Sequence, residues 1–73
     1  MTGIRYRKVI VERDPAGGLL FMAEDGQTGW GPDPGWVLRW VRARDRAAAA
    51  RGDSTVTVIE WRDVQPPEEG ERR

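Results

Sequence analysis

The first alternation of hydrophobic and polar positions lies near the start of the chain. Across residues 4–12, Ile, Tyr and Val alternate with charged residues, apart from a break at Lys8, as in a strand with one buried face. The turn-forming segment Asp-Pro-Ala-Gly-Gly follows at residues 14–18, and then an apolar run at residues 19–24. The pattern therefore predicts a hairpin of two antiparallel strands.

Helical periodicity begins after Asp33 and Pro34. An Asp side chain accepts hydrogen bonds from the free N–H groups of a first turn, and proline at the first position loses nothing by lacking its own N–H. Four consecutive alanines precede Arg51, and Gly52 is typical of a helix end. We predict one helix from residue 34 to about residue 51.

Two further segments flank this helix. Residues 25–35 contain four glycines, two prolines and Trp30, a composition that favours a surface loop. Residues 54–62 alternate β-branched side chains and predict a third strand. Residues 65–73 are rich in Pro and Glu and are predicted to form a disordered tail, which leaves residues 1–64 as a single small domain.

The element order β-β-α-β predicts an α+β fold. The helix returns the chain along the sheet, and the right-handed crossover rule places the third strand beside the first. We therefore expect a three-stranded antiparallel sheet in the spatial order 2-1-3, with the helix packed on one face.

The helix is expected to bury one arc of its surface against this sheet. Successive residues lie 100° apart, which collects the apolar positions on one side. The members of this arc are Trp36, Val37, Trp40, Val41, Ala47 and Ala48. Arg44 and Arg51 also project into it, so we expect their stems to pack and their heads to lie in water beyond the sheet edge.

The sheet carries more apolar surface than one helix covers. In the second strand Leu19, Phe21 and Ala23 alternate with Leu20 and Met22; in the third, Ile59 and Trp61 alternate with Val56 and Val58. An open apolar face of several hundred Å² usually marks an interface. We expect a protein–protein interaction module that docks another protein or its own copy as a homodimer. The candidate partner-binding residues are Trp30, Leu20, Met22, Val56 and Val58.

Composition removes several classes of chemistry. The chain of 73 residues has no cysteine and no histidine, which excludes thiol nucleophiles, imidazole bases, Cys/His zinc sites and Ser-His-Asp triads. The remaining carboxylates form no motif for acid–base work, and the glycines form no phosphate-binding loop. We predict a non-enzymatic protein without catalytic residues, cofactor or metal.

The N-terminus and the apolar runs predict the cellular location, and the composition indicates the source. The N-terminus lacks the apolar core of a signal peptide, and no apolar run approaches the roughly 20 residues that cross a bilayer. These features predict a cytoplasmic protein that does not contact a membrane. Eleven of the twelve Lys and Arg residues are Arg, and Ala and Gly are abundant, which indicates a high-GC genome such as that of an actinobacterium or its phage.

A nucleic-acid-binding module is the alternative interpretation. Arg39, Arg42 and Arg46 are spaced three and four apart, so they form one stripe along the helix. Guanidinium groups contact phosphates well. Twelve basic and twelve acidic residues leave a formal net charge of zero, however, which argues against a general polyanion binder.

Three segments resemble the signature of the MbtH-like proteins, short partners of the adenylation domains of nonribosomal peptide synthetases. They are Asp-Gly-Gln-Thr-Gly-Trp at residues 25–30, Pro-Gly-Trp at residues 34–36 and Trp-Arg-Asp-Val-Gln-Pro at residues 61–66. The resemblance implies that Trp30 and Trp36 are the aromatic pair that receives an alanine side chain of the adenylation domain. This chain lacks the family's N-terminal Asn-Pro-Phe, and it predicts a strand near Trp61 where that family has a helix.

Overall fold

The computed structural model describes residues 5–66 and has an α+β fold, with one helix and a mixed sheet of four strands in the order β3-β2-β1-β4. The elements are β1 (Tyr6–Arg13), β2 (Leu19–Ala23), β3 (Thr28–Gly31), α1 (Pro34–Ala50) and β4 (Val56–Trp61). The core lies between α1 and one face of the sheet and is formed by Val9, Val11, Leu19, Phe21, Val37 and Val41.

The prediction of three antiparallel strands is wrong because one strand is missing from it. The segment predicted as a loop contains β3, which pairs antiparallel with β2. This additional strand reverses the chain once more, so α1 starts from the opposite end of the sheet. As a result β4 runs parallel to β1 instead of antiparallel. The three predicted strands correspond to β1, β2 and β4 of the structure. Their predicted spatial order 2-1-3 is correct, since β1 lies between β2 and β4.

Two glycines conceal β3 in the sequence. A Cβ on Gly31 would stand 2.4 Å from the Cβ of Trp36, and a Cβ on Gly29 would stand 2.9 Å from the ring of Phe21. The backbone of this edge strand therefore occupies the space that side chains fill elsewhere on the sheet. Both glycines serve this close approach and do not end the strand.

The predicted limits of the helix are confirmed. The Asp33 carboxylate accepts a hydrogen bond of 2.9 Å from the N–H of Gly35, and Pro34 is the first helical residue. Arg51 is the residue that follows the last turn, and Gly52 has a φ of +84°. That angle lies in the left-handed region, which glycine adopts without the cost that a Cβ imposes.

The helix buries part of the predicted arc. Its buried positions are Val37, Val41 and Ala48. Trp40 and the strand residue Trp61 pack partly buried against the core. Trp36 is 46% exposed, so its prediction as a core residue is wrong. It stands over the backbone of Gly31 in an edge strand, where the sheet offers no further strand to cover it.

The predictions for the two ends of the chain are tested only in part, because the structure describes residues 5–66. Ile4, the predicted start of the first strand, and residues 67–73 of the predicted tail lie outside the described residues. Gln65 and Pro66, the first two tail positions, are exposed and belong to no helix or strand. Val64 still packs against the core. The division into a domain of residues 1–64 and a tail stays a prediction.

Candidate interaction surface

The face of the sheet opposite α1 is covered by no other element within residues 5–66, and we call it the open face. The helix covers the side of the sheet that carries Leu19 and Phe21. Strand register then assigns the alternate positions to the open face. They are Tyr6, Lys8, Ile10 and Glu12 of β1, Leu20 and Met22 of β2, Thr28 and Trp30 of β3, and Val56, Val58 and Glu60 of β4.

Apolar side chains run across the open face from β3 to β1. Strand pairing sets Trp30 beside Leu20, and Met22 beside Ile10. Leu20, Met22 and Ile10 are half-buried, whereas Trp30 is 52% exposed. These residues form a hydrophobic band whose most exposed member is the tryptophan.

A second apolar group lies where β1 and β4 begin. Tyr6 pairs with Val56, and Val58 follows on the same face of β4. The exposed fractions are 63% for Tyr6, 47% for Val56 and 45% for Val58. Three large apolar side chains therefore contact water where two strands meet.

The structure places all the predicted partner-binding residues on one face of the sheet. Their positions are given by the strand pairings of Trp30, Leu20, Met22, Val56 and Val58. Tyr6 and Ile10 share this face, and the sequence analysis did not single them out. The signal was present, since both occupy alternate positions of the first strand.

Trp30 is held in a defined position although it is exposed. It lies in β3, so its prediction as a loop residue is wrong. Its indole Nε1 donates a hydrogen bond of 3.0 Å to the carbonyl of Gly17. A Cβ on Gly18 would stand 2.5 Å from the Trp30 ring, which shows that the indole rests on the turn between β1 and β2. A fixed aromatic surface of this kind loses little entropy when a partner covers it.

Four charged side chains interrupt the open face between β1 and β4. Glu60 is bound by Lys8, whose Nζ lies 2.7 Å from Oε1, and by Arg62, which also reaches Glu12 at 3.2 Å. The hydrogen bond from Lys8 and then that from Arg62 lower the pKa of the Glu60 carboxyl to about 2. Each charge has an opposite partner, so the expected apolar face is mixed but carries no unpaired charge in this network.

The predicted arginine stripe lies on the exposed side of α1. Arg39, Arg42 and Arg46 are all exposed. The guanidinium of Arg39 stands 5.6 Å from the ring centre of Trp36. Arg42 and Arg46 form no ion pair or side-chain hydrogen bond with any residue between 5 and 66.

An open cleft of about 330 Å³ lies between α1 and the edge strand β3. Its lining residues are Phe21, Gly29, Trp30, Trp36, Arg39 and Trp40. Trp30 and Trp36 both border this cleft, while the Trp30 indole is hydrogen-bonded to Gly17 at the neighbouring turn. Val56–Trp61 is a strand, as its alternation predicted, where the MbtH-like proteins have a helix.

The charged head of Arg44 was predicted to lie in water, and this prediction is wrong. Its side chain is only 17% exposed. The guanidinium lies 4.9 Å from the ring centre of Trp40 and donates to Gln27 Oε1 and, at 2.9 Å, to Asp25 Oδ2. The hydrogen bond from Arg44, and then that from the backbone N–H of Gln27, lower the pKa of the Asp25 carboxyl. The acceptors belong to the turn between β2 and β3, which the sequence analysis had not identified.

Comparison of the chain with protein-family models, with curated proteins and with solved structures gave no match. Within residues 5–66, no three carboxylates come together in a group that could hold a metal ion. No helix of the described part has the length and apolar character needed to cross a membrane.

Proposed function

We propose that this protein is a non-enzymatic interaction module whose partner is a second copy of the chain, bound through the open face. The observation that carries the proposal is the exposure of Tyr6, Trp30, Val56 and Val58 on a face that no other described element covers. Large apolar side chains that are exposed together on one face often mark a site of association. Packing two such faces together removes all four side chains from solvent.

The size of the core supports association. Its fully buried apolar side chains come from a short set of positions, the largest of them Phe21, Val9, Val11 and Val37. A single core in a chain below about 70–80 residues rarely supplies more than about 3–5 kcal/mol, and association is one of the ways in which small proteins add to it. Two sheets packed face to face, about 10 Å apart, would share a second apolar layer.

Charge supports a second copy as the partner. The formal net charge of the chain is zero, so two copies do not repel each other at long range. A symmetric dimer brings the same patch of each subunit together. The charged part of the open face tolerates this arrangement because Lys8 and Arg62 are already paired with Glu60 and Glu12.

Substitution of Val58 by Lys tests the proposal. Sedimentation velocity over a micromolar concentration series should show a dimer for the wild-type chain and a monomer for Val58→Lys. Ala43→Lys is the matched control, since it adds the same charge at an exposed position of α1 and should leave the dimer intact. A wild-type chain that stays monomeric at high micromolar concentration contradicts the proposal, as does equal dissociation of both variants.

The role of Trp30 is tested in the same experiment. Removal of an aromatic hot-spot side chain costs about 2 kcal/mol or more, so Trp30→Ala should raise the dimer dissociation constant at least about 30-fold. Circular dichroism must show an unchanged fold, because the indole also packs on Gly18. An unchanged dissociation constant in a folded Trp30→Ala variant removes this residue from the interface.

A nucleic-acid-binding module is the second candidate, supported by the exposed Arg42 and Arg46 without ion-pair partners between residues 5 and 66. Phosphate contacts release counterions, so binding of a labelled duplex or single strand should weaken steeply with salt. The double variant Arg42→Gln, Arg46→Gln should reduce this salt dependence. Absence of any complex at low ionic strength rules the candidate out.

The third candidate, a partner of an adenylation domain, is supported by the cleft that Trp30 and Trp36 both border. Co-expression of the chain with adenylation domains of nonribosomal peptide synthetases tests it directly. Co-purification that is lost in Trp36→Ala supports this candidate, and failure to co-purify with any of them counts against it.

A further inference from the structure

A second cavity lies away from the open face, between α1 and the turn that joins β2 to β3. It has a volume of about 240 Å³, and we call it the arginine pocket. Its lining residues are Arg7, Asp25, Gln27, Arg44, Ala47 and Arg51. Three guanidinium groups therefore border one small space.

The helix contributes three of these residues from one side. Arg44, Ala47 and Arg51 are spaced three and four apart, so their side chains follow one another along the helix surface. The single methyl group of Ala47 fills little of the space between the two arginines. The cavity is thus built from a small residue placed between two long cationic ones.

Arg44 has its charge satisfied within the protein. It donates to Gln27 and to Asp25, and its guanidinium stacks on Trp40. Asp25 is the one carboxylate in the lining, and its other oxygen accepts from the backbone N–H of Gln27 at 3.0 Å. This acid compensates Arg44 and leaves the other two guanidinium groups of the pocket uncompensated by the lining.

Arg7 is the most unusual member of the pocket. Its side chain is 19% exposed, and its buried Nε has no hydrogen-bond partner among the described residues. Its terminal nitrogen donates to the carbonyl of Thr55 at 3.1 Å. Asp45 and Asp53 approach the guanidinium only to 3.9 and 3.8 Å.

One oxygen of each of these carboxylates is already hydrogen-bonded elsewhere. Asp45 Oδ1 accepts from the hydroxyl of Thr57 at 2.6 Å, and Asp53 Oδ1 accepts from the hydroxyl and the N–H of Thr55. They reduce the field around Arg7 without forming a hydrogen bond to it. The Nε atom itself is sealed from solvent, so other atoms of Arg7 border the pocket.

Arg51 completes the pocket at the end of the helix. It is exposed and forms no ion pair or side-chain hydrogen bond with any residue from 5 to 66. Three lining guanidinium groups and one lining carboxylate leave an excess of two positive charges in the lining. Asp45 and Asp53 offset the charge of Arg7 from outside the lining, so Arg51 is the guanidinium left to attract an anion.

We propose that the arginine pocket binds a phosphate group. A planar carboxylate is matched by the fork of one arginine, whereas a phosphate presents oxygens in several directions and can accept from Arg7 and Arg51 together. The volume is below the roughly 300 Å³ at which pockets for drug-sized molecules begin, which suits one phosphate with little attached to it. The group is free phosphate or a small phosphomonoester, and its binding does not depend on the proposed dimer.

Titration with inorganic phosphate, matched by sodium chloride at equal ionic strength, tests the proposal. NMR signals of the arginine Nε–H groups should shift saturably with phosphate and not with chloride, and the midpoint of thermal unfolding should rise. Arg51→Gln should weaken binding at least tenfold. Arg46→Gln, which removes the same charge from the outer stripe, should not. Equal effects of phosphate and chloride, or equal losses in the two variants, overturn the proposal.

Ala47→Glu places a carboxylate in the pocket from within the chain. It should raise the unfolding midpoint without phosphate and abolish the response to phosphate. Ala43→Glu is the control, because it also lies three and four residues from two arginines but faces away from the pocket. A response that survives Ala47→Glu contradicts the proposal. O-phosphoserine identifies the source: tighter binding than inorganic phosphate indicates an esterified phosphate, and weaker binding indicates the free ion.

Discussion

Trp36 packs directly on the backbone of Gly31, so closely that a Cβ at residue 31 would stand 2.4 Å from the Cβ of Trp36. This contact joins the first turn of α1 to the last residue of the edge strand β3. The helix is thereby seated on a strand that contributes backbone in place of side chains. Packing at this edge depends on the absence of a single methyl group.

Gly31→Ala should destabilise the protein by about 1–3 kcal/mol, because an added methyl group in a filled space forces backbone or rotamer shifts. Urea unfolding followed by tryptophan fluorescence measures the change. Thr28→Ala, an exposed position of the same strand, serves as the comparison and should change the free energy of unfolding by less than about 0.5 kcal/mol. Equal stability of Gly31→Ala and wild type would show that α1 does not sit closely on β3.

Asp33→Ala should lower the free energy of unfolding by about 1 kcal/mol, since the N–H of Gly35 then loses its acceptor at the start of the helix. Asp33→Asn keeps an acceptor oxygen at this position and should retain most of the stability. Thermal unfolding monitored by circular dichroism at 222 nm distinguishes the two variants. Similar losses in both would indicate that the negative charge matters and the hydrogen bond does not.

The ion pairs of Glu60 should make part of the stability dependent on pH. The pKa of its carboxyl falls from 4.5 to about 2 in the folded protein, chiefly through the hydrogen bond from Lys8. A lowered pKa means that this stabilisation is complete above pH 4.5 and is lost as the pH falls through about 2.

Glu60→Gln removes that group, so the acid-induced loss of unfolding free energy should be smaller in the variant than in the wild-type chain. Salt of about 1 M should reduce the difference in a dilute, monomeric sample, where these side chains are partly exposed to solvent. Urea unfolding across the acid range provides the measurement. Identical slopes for both proteins would mean that Glu60 titrates normally.

Arg44→Met should cost about 1–2 kcal/mol, because it keeps the apolar stem but removes the cation over Trp40 and the donors to Gln27 and Asp25. Arg42→Met changes an exposed residue of the same helix and should be nearly neutral. Differential scanning calorimetry of both variants gives the comparison. A neutral Arg44→Met would show that its contacts contribute nothing beyond those of an ordinary surface arginine.

The elements that were predicted correctly are those with local signals. Asp33 and Pro34 begin the helix and Gly52 follows its end, because capping depends on neighbours within a few residues. The hairpin of β1 and β2 is formed around the predicted turn for the same reason. The strand β3 was missed because Gly29 and Gly31 are explained by side chains of other elements, Phe21 of β2 and Trp36 of α1, that pack on them.

Local patterns likewise predicted some features of the candidate surfaces and missed others. Alternation identified Val56 and Val58 as a pair that shares one face of a strand, but both faces of that strand are apolar, so their exposure depended on where the helix packed. The arginine pocket was missed although Arg44 and Arg51 were seen to project into the apolar arc. Its formation requires Arg7 and the turn between β2 and β3, which only the folded chain brings to α1.

The sequence by itself determined the α+β class, the single helix with its limits and the excess of apolar strand positions, because periodicity and capping act over a few residues. The tertiary structure decided the fourth strand, the parallel direction of β4 and the face of the sheet that is left open. It also placed Arg7 beside Arg44 and Arg51 in the arginine pocket. Each of these depends on contacts between different elements of the fold. Such contacts are selected by packing and charge in the assembled fold, and no local pattern records them.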